Sequence, residues 1–268
     1  MAQTSSYYTV LAIAGSDSSG GAGIQADIKS ISACGGYAAS VITAATAQNT
    51  QEVREIHPLP VTHISKQLEA VLDDIDFGAI KIGMLHSSEV IKAVQNTLNT
   101  YNTKNIVLDP VMTATSGDKL MNNEAIESLK DFLPNVTLIT PNIPEAELLL
   151  GQSITLENME DAAEQLSHRY KTSVLLKGGH LELKDEMTDV LHNYTTQETT
   201  LIHNPSVQTP NTHGTGCTLS SSIATFLSKG YTLEVATTKG CAYLNKAIIE
   251  GKDKVIGHGH GAVNHFGI

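Results

Sequence analysis

The sequence predicts an α/β sandwich, a mostly parallel β-sheet covered by helices on both faces. Short, β-branched apolar runs alternate with amphipathic helical patterns over most of the chain. The runs are apolar almost throughout rather than at every second position, which is the pattern of strands buried on both faces. Around residues 189–209 the pattern changes to Thr-rich alternating segments, which read as antiparallel strands at one sheet edge.

In chain order, an expected strand at 7–14 enters the loop GSDSSGGAG at 15–23. The first helix follows, with Gln25 and Asp27 in its opening turn. A second strand, expected over 39–47, ends in Gln48-Asn49-Thr50. Val61, Ile64, Leu68, Val71 and Leu72 share one face of a helix over 61–74, and Val90, Ile91, Val94 and Leu98 do the same over 87–101. Further strands are expected at 79–85, 105–111, 137–141 and 173–178. Leu219, Ile223, Phe226 and Leu227 mark a helix that begins in His213-Gly214-Thr215-Gly216-Cys217-Thr218 and stops at Gly230. No repeat, low-complexity tract or linker breaks the pattern, so residues 1–268 are expected to form a single domain.

Composition narrows the function. With 17 Lys plus Arg against 28 Asp plus Glu, the formal net charge is −11. Without a basic block, that balance argues against a nucleic-acid partner, whose phosphates need neutralising. The N-terminus lacks the basic start and apolar core of a signal peptide, and no apolar run reaches membrane-spanning length. Three cysteines, Cys34, Cys217 and Cys241, form no CxxC pair, as expected of reduced thiols in a cytoplasmic protein.

In parallel sheets ligands bind beyond the C-terminal strand ends, and the chemically loaded loops all fall there. The glycine loop at 15–23 does not fit G-x-G-x-x-G and has no acidic partner at the end of a second strand. Asp27, if turned into the cleft, accepts from a substrate hydroxyl or amine; otherwise it only favours the helix dipole. Gln48 caps a strand or reads a heterocycle edge with its one acceptor and two donors. Asp109 and Glu145 each end a strand or open a helix, and two carboxylates facing a phosphate suit Mg²⁺. Lys177 pairs with phosphate or lies at the surface.

Cys217 sits where glycines and free amides begin a helix, a place for an anion, and the helix dipole is expected to lower its thiol pKa. Read alone, it is more often a small buried hydrophobe. A Cys hydrolase with adjacent His213 lacks a clear oriented pair. His258, His260 and His265 suggest a metal cluster, but their glycine-rich setting favours a closing loop.

Together the stretches AIAGSDSSGGAGIQADIKS, VITAATAQNT, KIGML, VLDPVM, LITPNIPEAELLL, LLKGGH and NTHGTGCTLSSSIA resemble the hydroxymethylpyrimidine and phosphomethylpyrimidine kinases of thiamine biosynthesis, members of the ribokinase-like superfamily. The resemblance spans residues 10–266. It implies a ribokinase-like three-layer α/β/α sandwich and ATP-dependent phosphorylation of a hydroxymethylpyrimidine to its monophosphate and then its diphosphate. It implies that Gln48 reads the pyrimidine edge while Asp27, Met84 and Val111 help line the pocket. It maps the anion hole onto Gly214, Thr215 and Gly216, with Cys217 as the base. Glu145 and Asp109 would serve Mg²⁺, and Lys177, with Asn142, the ATP phosphates. A homodimer is expected from the family. Ser18 and Ala262 stand where prolines are common in it, and neither departure removes a chemical group. A pyridoxine or pyridoxal kinase is the nearest alternative. A non-catalytic sensor with the same fold is a third reading, against which the intact anion hole, the carboxylates and Cys217 all argue.

Overall fold

The computed structural model describes residues 6–112, 121–179 and 186–267. Strand β1 (Thr9–Ala14) leads to α1 (Gly23–Ala33), β2 (Tyr37–Ile42), β3 (Ala44–Gln48) and β4 (Val53–Pro58). Then come α2 (Val61–Leu72), β5 (Ala79–Ile82), α3 (Ser88–Thr100), β6 (Ile106–Leu108), α4 (Asn123–Phe132) and β7 (Leu138–Ile139). The remainder is α5 (Ile143–Leu150), α6 (Met159–Tyr170), β8 (Ser173–Leu176), β9 (Glu186–Asn193), β10 (Glu198–Pro205), α7 (Thr215–Ser228) and α8 (Leu233–Gly251).

Eight strands form one sheet in the order β10-β9-β8-β7-β6-β5-β1-β2. The pairs from β2 through β8 are parallel, and β9 and β10 join antiparallel at the edge, as expected for 189–209. Because side chains alternate along a strand, β1 sends Leu11 and Ile13 to one face and Val10, Ala12 and Ala14 to the other. The first face packs on α2 through α6, including Leu68, Val94, Leu129, Leu149 and Leu166. The second packs on α1, α7 and α8 through Ile24, Ile31, Leu219, Ile223 and Leu244.

The run expected as one strand at 39–47 is two. Thr43 is fully buried, takes the Ala14 carbonyl with its amide (3.0 Å) and donates its hydroxyl to the Met84 carbonyl (3.1 Å). These bonds bend the chain, so that β3 leaves the main sheet and pairs antiparallel with β4 in a small flap. Nothing in a continuous apolar run signals that turn, and β4 was not expected at all. The other expected strands are shorter than their apolar runs; the residues beyond them form the loops at the C-terminal strand ends. No helix among the described residues is long and apolar enough to cross a membrane.

Candidate active site

An open cavity of about 690 Å³ lies at these strand ends, over the point where the sheet order turns from β1 to β5, the place where open α/β sheets bind ligands. Gln48 and Met84 line it, with Val53 and Ile56 of the flap, and so does Val111. Asp109, Asn142, Glu145, Lys177 and residues 214–217 line it as well. A wall of Val207, Leu219, Leu244 and Ile248 completes it. Eleven of the twelve candidate site residues therefore meet on one cavity.

Asp27 is the exception. It is fully buried and lies outside the cavity lining. Lys81 Nζ donates to both its carboxylate oxygens at 2.7 and 2.8 Å, and Ser221 Oγ donates to Oδ1 at 2.8 Å. The expected substrate contact is thus replaced by a buried ion pair. Burial pushes the Asp27 carboxyl up against the opposing pull of Lys81, and the Lys81 ammonium is held above its usual range by Asp27 and Cys217 despite burial.

The start of α7 is built for an anion. Gly214 is its N-cap at φ 81°, with no side-chain cap, a conformation that favours glycine. A Cβ at that position would stand 1.9 Å from the Gly21 carbonyl oxygen. The first bond along α7 runs from the Thr218 amide to the Gly214 carbonyl (2.9 Å), while the Thr215 amide makes only a long 3.3 Å bond to Thr212. The first-turn amides therefore face the cavity with the positive end of the helix dipole. Gly216 lies so close to Asp109 that a Cβ there would come within 2.8 Å of Asp109 Oδ2.

Cys217 is half-buried. Its thiol pKa is not lowered as expected from the helix start. Burial pushes it up to about 11, with Lys81 pulling down and Asp27 and Asp109 pushing up. Desolvation of the charged thiolate outweighs the dipole here.

Opposite, Lys177 Nζ donates to Asp109 Oδ1 at 2.9 Å, and Thr140 Oγ1 donates to the same oxygen at 2.9 Å. Lys177 is thus half-buried in an ion pair rather than lying free at the surface. Asn142 and Glu145 form a reciprocal capping box, each amide donating to the other's side chain at 2.9 Å. Glu145 is nonetheless on the cavity wall, and burial raises its carboxyl to about 7, with Lys177 opposing and Asp109 assisting.

Sequence reasoning missed Asp17, Lys81 and Asp189. Buried Asp17 accepts from the amides of Ser19 (2.8 Å), Gly21 (3.1 Å) and Ala22 (2.8 Å), and its Oδ2 lies 2.8 Å from His213 Nε2. His213 is therefore turned toward Asp17, which removes the oriented partner a Cys hydrolase needs. Asp189 lines the cavity and accepts from the Gly178 amide at 2.9 Å. The lysine interrupting the apolar strand AIKI was a readable signal; His213 lies 196 positions from Asp17 and Cys241 lies 52 from Asp189, beyond the reach of local pattern. His258 and His260 are exposed and His265 is buried. No cluster of three or more metal-ligating side chains occurs among the described residues. His180, the last residue of LLKGGH, lies outside the described residues.

Comparison with known proteins bears on the same cavity. Residues 17–264 match the family model described as phosphomethylpyrimidine kinase. The hydroxymethylpyrimidine/phosphomethylpyrimidine kinase of Rhizobium meliloti is 45% identical over 261 residues, covering 96% of each chain. The chain spans about half of the longer bifunctional relative from Geobacter sulfurreducens, 52% of its length. The crystal structure of phosphomethylpyrimidine kinase from Clostridium difficile 630 superimposes with a TM-score of 0.79 at 42% identity, covering 90% of this chain and 99% of that one. An ADP complex of Bacillus subtilis pyridoxal kinase superimposes with a TM-score of 0.89 at 30% identity, covering 97% and 98%. The three-layer arrangement is that of the ribokinase-like kinases.

Proposed function

The chain belongs to the phosphomethylpyrimidine kinase family, and on that premise we propose that it phosphorylates hydroxymethylpyrimidine with ATP and then phosphorylates the monophosphate, in thiamine biosynthesis. The observation that carries this reading is one continuous cavity. It is lined by a ring-sized pocket of Gln48, Met84 and Val111, by the uncapped start of α7 and by Lys177.

The hydroxymethyl oxygen attacks the γ-phosphorus, the bond to the β-phosphate oxygen breaks, and the hydroxyl proton passes to the Cys217 sulfur. Phosphoryl transfer depends mainly on in-line positioning and charge neutralisation, so a base that is mostly protonated at neutral pH suffices. The amides at the start of α7, including those of Gly214, Thr215 and Gly216, hold the γ-phosphoryl oxygens. Lys177 pairs with the phosphates, leaving part of its bond to Asp109, and Asn142 with its capping box fixes the loop opposite. The second transfer starts from a phosphate that is already anionic and needs the base less.

Mg²⁺ suits the donor set. Asp109 and Glu145 are buried carboxylates on the cavity wall, hard oxygen ligands beside phosphate-binding amides. With no third ligating side chain in a cluster with them among the described residues, they would hold the ion together with phosphate oxygens and water, and it would neutralise charge developing on the phosphates. A homodimer and a cytoplasmic location remain family-based proposals; light scattering from the purified chain tests the first.

Pyridoxal phosphorylation is a second reading, supported by the close superposition on the B. subtilis pyridoxal kinase. Gln48 favours an aminopyrimidine, whose ring nitrogen and exocyclic amine satisfy both ends of the amide, where pyridoxine leaves a polar atom unpaired. The deciding experiment compares kcat/KM for hydroxymethylpyrimidine, its monophosphate and pyridoxine with ATP and Mg²⁺. Efficient use of the monophosphate supports the thiamine role, and an inert monophosphate with pyridoxine as best substrate overturns it. Ring binding without ADP release in the same assay would leave a sensor.

A further inference from the structure

Beneath the cavity floor, two helix starts are locked side by side by a lysine that makes no contact with the cavity itself. Cys217 and Ser221 are one turn apart on α7, and Gly23 and Asp27 are one turn apart on α1, so each pair shares a helix face. The two faces meet residue for residue. Ser221 Oγ donates to Asp27 Oδ1 at 2.8 Å, and the Gly23 amide lies near enough to the Cys217 sulfur to favour its thiolate. Lys81 comes up from β5, on the sheet face that α1 and α7 cover, and grips both Asp27 oxygens. Lys81, Asp27 and Ser221 are all fully buried, so no water screens the charges.

A purely structural role does not explain this choice. A buried ion pair is usually no more stabilising than an apolar pair of similar volume, and Ala12, Ile24, Ile31, Leu219 and Ile223 pack on the same sheet face. What the lysine adds is positive charge behind the sulfur. The charged groups that act most strongly on the Cys217 sulfur are Lys81 from β5, Asp27 from α1 and Asp109 from beyond β6, and of these Lys81 alone is positive.

We propose that Lys81 is a positioning residue for the phosphoryl transfer: through Asp27 and Ser221 it fixes α7 against α1 so that Cys217 faces the substrate alcohol, and its charge stabilises the Cys217 thiolate. This inference rests on the reading of Cys217 as the base, and its test is chosen to separate the two.

The readout is the pH dependence of Cys217 alkylation by iodoacetamide in the ligand-free protein, followed by mass spectrometry of the Cys217 peptide so that Cys34 and Cys241 do not contribute. In Lys81→Met the alkylation midpoint should rise, cutting the rate at fixed pH by about 3- to 10-fold for up to one pKa unit. kcat for the first phosphorylation should fall with it, KM for ATP and for the hydroxymethylpyrimidine should hold, and the second phosphorylation should suffer less. Lys81→Met leaves Asp27 buried without its partner. The double variant Lys81→Met/Asp27→Asn buries no unpaired charge and keeps an acceptor for Ser221, so it reports if the single variant fails to fold. Its midpoint should still lie above wild type, since the pull of Lys81 exceeds the push of Asp27. An unchanged alkylation profile in whichever variant folds overturns the proposal, even if Cys217→Ala abolishes the first step. Conversely, full activity in Cys217→Ala would remove the base while leaving the alkylation result to report on Lys81.

Discussion

Asp17 and His213 lie 196 positions apart in the chain and 2.8 Å apart in the structure. Their bond ties the glycine loop after β1 to the residue just before the uncapped start of α7. Burial by itself would push the Asp17 carboxyl up, but His213, Ser19 and the Ala22 amide hold it down at about 2. A carboxyl depressed in the folded state contributes stability above its unfolded pKa and loses it as pH falls through the folded value. Asp17→Asn should therefore cost on the order of 2 kcal/mol at pH 7. In urea melts the gap from wild type should close as pH falls from about 4 toward 2. A gap that stays constant over that window would show that the charge of Asp17 does not act through these bonds.

Cys217→Ala should lower kcat for the first phosphorylation by about 10²–10⁴-fold, the usual worth of a general base, with KM for the pyrimidine little changed. Because the thiol is held up at about 11, the wild-type first step should climb with pH above neutrality. The second step should show a flatter profile. Steady-state rates for both substrates from pH 6 to 10 check this, and equal profiles would remove Cys217 from the proton transfer.

Glu145→Gln separates the capping role from the metal role. Gln still accepts from the Asn142 amide, so the capping box survives. The carboxyl is raised to about 7 by burial, a cost to folding that is absent below about 4.5 and complete above about 7. Thermal stability at pH 8 should thus hold or rise, by up to about 3 kcal/mol, while KM for Mg·ATP increases and excess Mg²⁺ partly restores it. Unchanged magnesium dependence would return Glu145 to helix capping alone.

Lys81→Met should destabilise the fold by about 3–5 kcal/mol, because it strands a buried carboxylate. Lys81→Met/Asp27→Asn should recover most of that loss in denaturant titrations. Equal losses in the two variants would show that packing around the lysine stem, not its charge, holds the seam.

Gly216→Ala brings a methyl to within 2.8 Å of Asp109 Oδ2 and 3.5 Å of Lys177 Nζ. Asp109 must give way, and catalysis is sensitive to displacements of that size. kcat/KM for ATP should fall by roughly 10- to 100-fold with a small change in melting temperature, since the helix itself gains from alanine over glycine. Wild-type kinetics would mean that Asp109 has room to move without consequence.

Much of the site was legible because it lies in loops directly after apolar strands, where position along the chain specifies position in space. Gln48, Met84, Asp109, Glu145 and Lys177 were placed in that way, and Cys217 from the glycines that open its helix. Asp27 was not, because a helix position names a residue without naming the neighbour that covers its face. Its partner Lys81 lies 54 positions away, on a strand whose alternation gives two faces but not which helices cover them. The thiol pKa was misread for a related reason: the dipole of α7 is written in local sequence, whereas desolvation comes from α1 and β5. The flap was lost because its boundary, Thr43, is set by bonds to Ala14 and Met84.

The segment around 257–265 meets both sides of the site. Gly259 donates to Thr50 at the flap, Ala262 bridges to His213, and the His213 amide donates to the Gly261 carbonyl at 3.1 Å. During synthesis on the ribosome, the sheet and most of its helices can form while these residues are still unmade. The bonds from Gly259 to Thr50 and from Ala262 to His213 cannot form until they emerge. A nascent chain can therefore hold its sheet before the rim of its cavity is complete.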